Sequence, residues 1–316
     1  MAQTGRRVTA LAGGVGGAKL AQGLARVVTG DALTVLVNTA DDFELYGLAI
    51  SPDIDTVMYT LAGMANPLLG WGIAADTRAT LDAIARYGED PWFLLGDQDF
   101  ATHIVRSDRL RKGIPLSTIT AQFSSSLGIS AKLIPMTDDR VATLVDTPSG
   151  RLAFQDYFVA RRQRDDVNGV VYEGIESAQP APGVIDALTT VDVIVLNPSN
   201  PIVSIGPILA VSGVRAALAA STAVRIGVSP IIGGKALKGP ADRMLATLGH
   251  DVSALGIARI YEGLLDMLVI DTEDAGLRSE IEALGMEVIV TNTIMGGPED
   301  RERLAREVLA AAAQHR

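Results

Sequence analysis

The chain has 316 residues, 48% of them hydrophobic and 20% charged, which predicts a folded protein with a core large enough for one or two domains. Because it has no cysteine and only three histidines, disulfides, thiolate nucleophiles and histidine-rich metal sites are excluded, and any metal should be a hard cation on carboxylates. The net charge of −10 argues against nucleic-acid binding, and the absence of a long apolar run or signal sequence predicts a cytoplasmic protein without a membrane segment.

The first predicted elements are a strand over Val8–Leu11 and a helix over Ala18–Val28, joined by a glycine-rich turn. This order brings backbone N–H groups and a helix N-terminus to one place, which suits a phosphate. The dinucleotide-binding pattern requires a third glycine where Lys19 stands, and the P-loop pattern requires a Gly-Lys-Ser/Thr that the turn lacks. The turn is therefore predicted to bind phosphate, with a ligand-free connection as the alternative.

Strands alternate with helices again late in the chain, and these strands are continuous apolar runs of the kind found in buried parallel sheets. After a second strand over Leu33–Asn38, the predicted strands are Val191–Leu196, Val224–Val228, Met267–Asp271 and Glu287–Thr291. The predicted helices that follow them are Ala241–Leu248, Ala275–Leu284 and Glu299–Ala313. The fold class is therefore predicted to be α/β, with a doubly wound, mostly parallel Rossmann-like sheet.

The middle of the chain has a different pattern. Residues 51–179 combine helical stretches with a hairpin whose turn is Thr147–Gly150. An antiparallel hairpin does not belong inside a parallel sheet, so this range is predicted to be an inserted, smaller α+β cap. Residues 1–50 and 180–316 would then form the nucleotide-binding domain, with Ser177–Gly183 as the return linker.

Four aspartates follow the second strand, at the edge where open α/β sheets bind ligands. They are Asp41, Asp42, Asp53 and Asp55. Carboxylates beside a phosphate-binding turn can hold Mg²⁺, which bridges carboxylate and phosphate oxygens. The alternative for Asp53 is that it only caps the next helix, because it follows Ser51 and Pro52.

A polar helix is predicted further along the chain. Asp99, His103 and Arg106 share one of its faces, which would give an oriented acid–base pair and an anion-binding arginine. A structural role for His103 is the alternative, and the next three basic residues are predicted to form a solvated face. Beyond them, Gln122–Gly128 offers serine hydroxyls to a ligand or forms a polar helix terminus.

Two later loops at predicted strand ends are polar and stiff. In "LNPSNPIVSIGP", three prolines restrict the backbone while Asn197, Ser199 and Ser204 can hydrogen-bond a base edge or a phosphate. In "VSPIIGGKALKGPADRM", a second glycine-rich turn carries Lys235 and Lys238. Two glycine-rich turns with lysines at one crevice favour a diphosphate over a single phosphate.

Taken in order, these segments resemble the 2-phospho-L-lactate transferase family of coenzyme F(420) biosynthesis. The matching segments are "LAGGVGGAKL", "NTADD", "SPDIDTVMYTLAG", "LGDQDFATHIVRSDRLRKG", "SSSLGI", "NPSNPIVSIGPI" and "VSPIIGGKALKGPADRM". The resemblance implies a nucleotide-binding domain with a cap, often as a homodimer. It implies that a deazaflavin alcohol attacks a guanosine-diphosphate-linked three-carbon acid with the help of Mg²⁺, so that GMP leaves and a phosphodiester forms.

The resemblance also assigns roles to residues of this chain. Donor phosphates would be held by Gly13, Gly14, Gly16, Gly17 and Lys19. Further donor contacts, with the guanosine end among them, would come from Asn197, Ser199, Ser204, Gly206 and Lys235. Mg²⁺ and the deazaflavin hydroxyl would be held by Asp42, Asp53 and Asp55, and the acceptor side would be lined by His103, Arg106 and Ser124–Ser126, Ser125 included.

Two departures from relatives of this family affect single contacts. Leu94 stands where relatives often have a basic residue, and Val15 stands where some have a hydroxyl. Two other functions stay open: a non-catalytic nucleotide-sugar-binding regulator of the gluconeogenesis-factor type, and an NAD-dependent oxidoreductase, which the missing third glycine disfavours. The sequence does not identify the three-carbon acid, because phospholactate, enolpyruvyl and phosphoglyceryl donors differ by a few atoms.

Overall fold

A computed structural model describes residues 5–315. Over that range the chain forms fourteen strands, which in chain order are β1 (Val8–Ala12), β2 (Leu33–Val37), β3 (Phe43–Leu45), β4 (Leu48–Ile50), β5 (Lys132–Pro135), β6 (Ala142–Thr147), β7 (Gly150–Ala153), β8 (Gly169–Glu173), β9 (Val193–Leu196), β10 (Val224–Val228), β11 (Ile231–Ile232), β12 (Lys235–Ala236), β13 (Met267–Asp271) and β14 (Glu287–Thr291).

The same range forms twelve α-helices, which are α1 (Gly14–Val27), α2 (Pro52–Leu61), α3 (Ala79–Arg86), α4 (Asp97–Arg111), α5 (Leu116–Ser126), α6 (Val184–Thr189), α7 (Gly206–Ala210), α8 (Val214–Ala220), α9 (Ala241–Thr247), α10 (Ala254–Ile260), α11 (Arg278–Glu282) and α12 (Pro298–Gln314). Short 3₁₀ helices cover Gly30–Ala32 and Thr272–Leu277, and π-helical turns cover Asp156–Ala160 and Pro201–Ile205. No single helix of residues 5–315 is long and apolar enough to span a membrane; one bent pair, Pro201–Ala210 with Val214–Ala220, passes on length and composition alone.

The central sheet has seven strands in the order β14-β13-β10-β9-β1-β2-β5, and every neighbouring pair is parallel. The predicted doubly wound α/β fold is therefore confirmed. From β1 the chain first builds outward through β2 and β5, and then returns to β9 on the other side. The strand order thus reverses between β1 and β9, which is the point where such sheets bind ligands.

Helices cover both faces of this sheet, which explains why β1, β2, β9 and β13 are buried along their whole length. Leu11 and Leu196 point into the layer formed by α6 to α11. Ala10 and Val195 point into the layer formed by α1, α2 and α12. Helix α1 packs closely on α12, since a Cβ at Gly23 would overlap the backbone of Arg301.

Several predicted boundaries were wrong. Helix α1 begins at Gly14, four residues before the predicted start, with Gly14 at a φ of +61° that glycine adopts without strain. The helix predicted over Ala275–Leu284 is a 3₁₀ turn followed by the short α11. The other predicted strands and helices in the sheet halves match within two residues.

The middle of the chain only partly matches the predicted cap. The hairpin is confirmed: β6 pairs with β7 across the turn after Thr147, and β8 joins them in an antiparallel sheet. Strand β5, however, lies within residues 51–179 and extends the central parallel sheet beside β2. Ile54 and Val57 of α2 also belong to the core of that sheet. Strand β5 and helix α2 therefore belong with the central sheet rather than with the predicted cap. The division of the chain into two domains stays a prediction.

Candidate active site

A cavity of about 1190 Å³ lies at the carboxyl ends of the central strands, where their order reverses. Its floor is formed by the segments that follow β1, β2, β9, β10 and β14. Its walls come from α2, from α4 and the segment before it, and from the segment after β7. Because these elements are far apart in sequence, the cavity exists only in the folded chain.

The glycine-rich turn is held to the β9 loop by close backbone packing. A Cβ at Gly13 would lie 2.5 Å from Asp53 Oδ2 and 2.7 Å from Ser204 Cβ. Glycine is also required at Gly16, where a Cβ would overlap the carbonyl oxygen of Pro198. Gly13, Gly14 and Gly16 line the cavity, whereas the predicted phosphate contact Gly17 does not, because it packs behind them against Ser199.

Asp53 links this turn to the second strand. It lies in the first turn of α2, but its Oδ1 accepts a hydrogen bond from the backbone N–H of Gly14 at 2.7 Å. Its Oδ2 accepts one from Asn38 Nδ2 at 2.9 Å. The carboxylate thus caps α1 rather than its own helix. Burial raises the pKa of Asp53 to about 6.

A second buried aspartate, Asp41, accompanies Asp53 in the cavity wall. Burial raises the pKa of Asp41 well above its usual range, and the charge of Asp53 raises it further. The Oδ1 atom of Asp41 is buried without a hydrogen-bond partner among residues 5–315. Two desolvated carboxylates with an unused oxygen form an acidic centre that a cation would stabilise.

Asp55 forms a buried ion pair with Arg106. Both terminal nitrogens of the guanidinium donate to the carboxylate, Nη1 to Oδ2 at 3.0 Å and Nη2 to Oδ1. His103 lies against this pair, with its Nδ1 3.7 Å from Asp55 Oδ2 and 3.3 Å from Arg106 Nη1. Burial lowers the pKa of His103 to about 4, so the ring is neutral at pH 7.

The predicted pairing of Asp99 with His103 was wrong. Both residues line the cavity, but the Asp99 carboxylate accepts from the backbone N–H of Gly96 at 3.2 Å and so caps α4. The partners of His103 are instead Asp55 and Arg106. The Nε2 atom of His103 is buried without a partner among residues 5–315.

The three aspartates predicted to hold Mg²⁺ do not converge. Asp42 accepts from Ser51 Oγ at 2.7 Å and does not line the cavity, and Asp55 is held by Arg106. Within residues 5–315 no group of three or more carboxylates or imidazoles is arranged to hold a metal ion. Asp53 and Asp41 fit Mg²⁺ in another way, as the one or two carboxylates that this ion takes when substrate phosphates and water complete its shell.

The polar residues of the β9 loop mainly hold the glycine-rich turn. Asn197 Nδ2 donates to the carbonyl oxygen of Gly17 at 2.8 Å, and Ser199 Oγ donates to that of Gly13 at 2.9 Å. Of the residues predicted to contact the donor, Ser199 and Ser204 line the cavity, whereas Asn197 does not. Gly206 does not line it either. It packs against Tyr172, whose Oη a Cβ at this position would overlap.

Two lysines reach the cavity, and one of them was not assigned to the site. Lys19 Nζ donates to the carbonyl oxygen of Met295 at 2.8 Å. Burial lowers the pKa of Lys19, and the charges of Arg301 and Lys238 lower it further. Lys238 also lines the cavity and donates to the carbonyl oxygen of Leu69 at 2.8 Å. The predicted contact Lys235 lies outside the cavity lining.

The serines of α5 are not in the cavity. Ser124 is buried with its hydroxyl unpaired among residues 5–315, and Ser125 is exposed. Neither lines the cavity, so the structure separates them from the rest of the predicted site.

Sequence reasoning missed the aromatic part of the cavity wall. It includes Trp71, Trp92, Phe93, Phe154 and Phe158, and Tyr59 of α2 also lines the cavity. Phe93 and Trp92 pack edge to face with centroids 5.6 Å apart, and Phe154 and Phe158 stack at 5.4 Å. The clustered aromatics of "PWFLLG" and "FQDYFV" were the available signal in a chain with only 4% aromatic residues.

Comparison with known proteins identifies the family. The model of the family described as 2-phospho-L-lactate transferase CofD matches residues 8–303. A phosphoenolpyruvate transferase of Streptomyces griseus is 43% identical over 316 residues, covering 98% of this chain and 99% of the relative. A 2-phospho-L-lactate transferase of Methanocaldococcus jannaschii is 40% identical over 306 residues, covering 96% and 97%.

The fold also has a distant structural neighbour. A Bacillus halodurans protein of the UPF0052 family superposes with a TM-score of 0.63, covering 97% of this chain and 99% of that one at 14% identity. That likeness concerns the fold alone, whereas the sequence relatives match along nearly the whole chain. The chain belongs to the 2-phospho-L-lactate transferase family, whose members carry out phospholactate or phosphoenolpyruvate transfer in coenzyme F(420) biosynthesis.

Proposed function

We propose that this transferase moves a phospho-linked three-carbon acid from a guanosine-diphosphate-activated donor to the terminal hydroxyl of a deazaflavin alcohol, releasing GMP. The observation that carries the proposal is the single cavity in which the N-terminus of α1, the acidic pair Asp41–Asp53 and an aromatic wall meet. The three features suit a diphosphate, a bridging cation and a flat ring system respectively.

The donor diphosphate is proposed to lie against the first turn of α1. The N–H of Gly14 is taken by Asp53, so the groups left to bind phosphate oxygens are those of Val15 and Gly16. Lys19 adds positive charge from the same helix, and Lys238 adds it from the segment after β12. This arrangement also agrees with the strand-order reversal, where nucleotides bind in related sheets.

Mg²⁺ is proposed to be held by Asp41 and Asp53. When bound, the ion would neutralise charge on the transferred phosphoryl group. The support is the Oδ1 of Asp41, unpaired among residues 5–315, together with the raised pKa of both carboxyls, which burial causes and which the charge of Asp53 increases at Asp41.

The acceptor is proposed to stack on the aromatic wall with its hydroxyl directed at the donor. The hydroxyl oxygen forms a bond to the phosphorus that carries the acid, and the bond from that phosphorus to the GMP oxygen breaks. Asp99 lines the cavity and is proposed to take the hydroxyl proton, and burial raises the pKa of its carboxyl to about 6, close to the working pH. Such a displacement requires positioning and charge neutralisation rather than a covalent intermediate.

Product analysis tests this function directly. The protein is incubated with the deazaflavin alcohol, Mg²⁺ and each of the three guanosine-linked donors, and GMP and the phosphodiester are measured by chromatography and mass spectrometry. We expect GMP release with one donor in excess of the others, and loss of turnover with chelator. No GMP release with any donor would disprove the proposal.

We also propose that the protein forms a homodimer. The support is the exposed apolar pair Ile104 and Val105 on α4, and light scattering would test it.

A further inference from the structure

The segment after β7 holds an arginine over the cavity in an unfavourable backbone conformation. Arg162 and Gln163 have φ values of +54° and +56°, two of only four non-glycine residues with positive φ among residues 5–315. They directly follow the π-helical turn Asp156–Ala160 and Arg161, and both line the cavity.

Several residues of this turn are held by burial, hydrogen bonds or an ion pair, whereas the Arg162 side chain is not. Tyr157 is fully buried, and its carbonyl oxygen accepts from the backbone N–H of Gln163 at 2.9 Å. Gln155 Nε2 reaches the carbonyl oxygen of Asp41 at 3.5 Å. Arg161 pairs with Asp165, whereas the Arg162 guanidinium forms no hydrogen bond or ion pair within residues 5–315.

Glycine would adopt the backbone conformation of Arg162 without strain, because it has no Cβ, and glycine usually ends helical turns of this kind. An arginine at this position brings backbone strain and places at the cavity a cation that has no partner among residues 5–315. Strained non-glycine residues are found at functional sites more often than elsewhere. The side chain, rather than the turn, is therefore the feature that requires a role.

We infer that Arg162 binds the carboxylate of the three-carbon acid on the donor, an inference that rests on the proposed function. The diphosphate already has the N–H groups of α1 with Lys19 and Lys238, which leaves the acid carboxylate as the remaining anionic group. The planar guanidinium matches a carboxylate with two parallel hydrogen bonds. Val159 and Ala160, which also line the cavity, give an adjacent apolar surface for the short carbon skeleton.

The test is a binding cycle in which protein and ligand are both changed. Arg162→Gly keeps the backbone satisfied and removes the cation, and Arg162→Lys keeps the charge without the planar fork. Arg164→Gly is the matched control, because Arg164 is an exposed arginine of the same segment that does not line the cavity. The ligands are GDP, GDP esterified on its β-phosphate with lactate, and the lactamide analogue of that ester, titrated by calorimetry.

We expect Arg162→Gly to weaken binding of the lactate ester about tenfold or more, the usual effect of losing a charged hydrogen bond, while binding of GDP and the lactamide changes less than about twofold. Its Tm should not fall, which separates lost binding from lost folding, and Arg162→Lys should lie between. Equal losses for GDP and the lactate ester, no loss at all, or the same loss in Arg164→Gly would each overturn the inference. Because the cycle needs no acceptor, it is independent of whether wild-type protein releases GMP.

Discussion

The hydrogen-bond partners of Asp53 could not be predicted from the residues next to it in the sequence. Its position after Ser51 and Pro52 is typical of a helix cap, and the residue does lie in the first turn of α2. Its carboxylate nevertheless accepts from Gly14, 39 residues earlier, and from Asn38. The partner of a capping carboxylate depends on which helix ends the fold brings together, and this is not encoded within the local segment.

We expect Asp53→Asn to lower turnover by about 10²-fold or more, because the site loses a charge that faces the transferred phosphoryl group. The fold should be kept, since the amide oxygen can still accept from the Gly14 N–H and only the bond from Asn38 Nδ2 is lost. Turnover is measured as GMP release and folding by thermal melting. Asp42→Asn is the matched control: Asp42 neighbours Asp41 but does not line the cavity, so its turnover should stay within a few-fold of wild type.

The stability of Asp53→Asn should also depend on pH. Burial raises the pKa of Asp53 from 3.8 to about 6, so the folded state favours the protonated carboxyl. Its contribution to stability is therefore fully present below about pH 3.8 and is lost as the pH rises through about 6. The Tm of Asp53→Asn, relative to wild type, should accordingly rise between about pH 4 and about pH 6 and stay level above that range. A relative Tm that falls over this range would contradict a buried, destabilising charge.

The other predicted site residues differ in whether one helix or the tertiary path of a loop determines their positions. His103 and Arg106 meet because one helix presents them on one face, which spacing alone predicts. Ser124 and Lys235 were predicted to contact ligands, and both lie outside the cavity. Lys238, three residues from Lys235, takes the expected position instead. A lysine-rich turn is recognisable in a sequence, but which lysine points inward depends on the tertiary path of the loop.

At the scale of elements, the Asp55–Arg106 pair holds α2 against α4. Asp55→Asn leaves a buried guanidinium without its counter-charge, so we expect a loss of about 3–5 kcal/mol in the free energy of unfolding. Urea denaturation measures this loss. The result should contrast with Asp53→Asn, which keeps its stability. Equal stability of Asp55→Asn and wild type would mean that the pair is not buried as the structure describes.

A double variant separates the structural part of this pair from its chemical part. Asp55→Leu combined with Arg106→Leu removes both charges, and such replacements often recover the stability lost by breaking a buried pair. We expect it to be more stable than Asp55→Asn and still inactive, because His103 and the cavity wall lose their polar partners. Recovery of GMP release along with stability would show that the pair only holds the two helices together.

Strands and helices were predicted best where neighbouring residues in the sequence determine them. Strands β10, β13 and β14 have the predicted bounds because each is a short run rich in Val, Ile and Leu, and β13 is buried along its whole length. Strand β5 was missed because it has four residues and ends in proline, and its place beside β2 is fixed by long-range pairing. The early start of α1 depends on the distant Asp53 carboxylate, and the π-helical turn before Arg162 has no known sequence signature here.

At the scale of the whole molecule, the cavity joins segments from both halves of the central sheet to the walls contributed by the middle of the chain. The glycine-rich turn and the β9 loop form the floor, whereas the residues around Trp92 and Phe158 form the wall. If the donor lies on the floor and the acceptor on the wall, the two ligands should stabilise different backbone segments.

Hydrogen–deuterium exchange tests this division. GDP should slow exchange at residues 13–19 and 198–204, where it would suppress local opening, and should leave residues 91–95 nearly unchanged. The deazaflavin alcohol should protect residues 91–95 and 154–158. At 100 times its Kd, either ligand should add about 2.7 kcal/mol to the free energy of unfolding, so a matching rise in Tm confirms that the site was saturated. Protection of residues 91–95 by GDP alone, with none at residues 13–19, would place the donor on the wall and reverse the proposed arrangement.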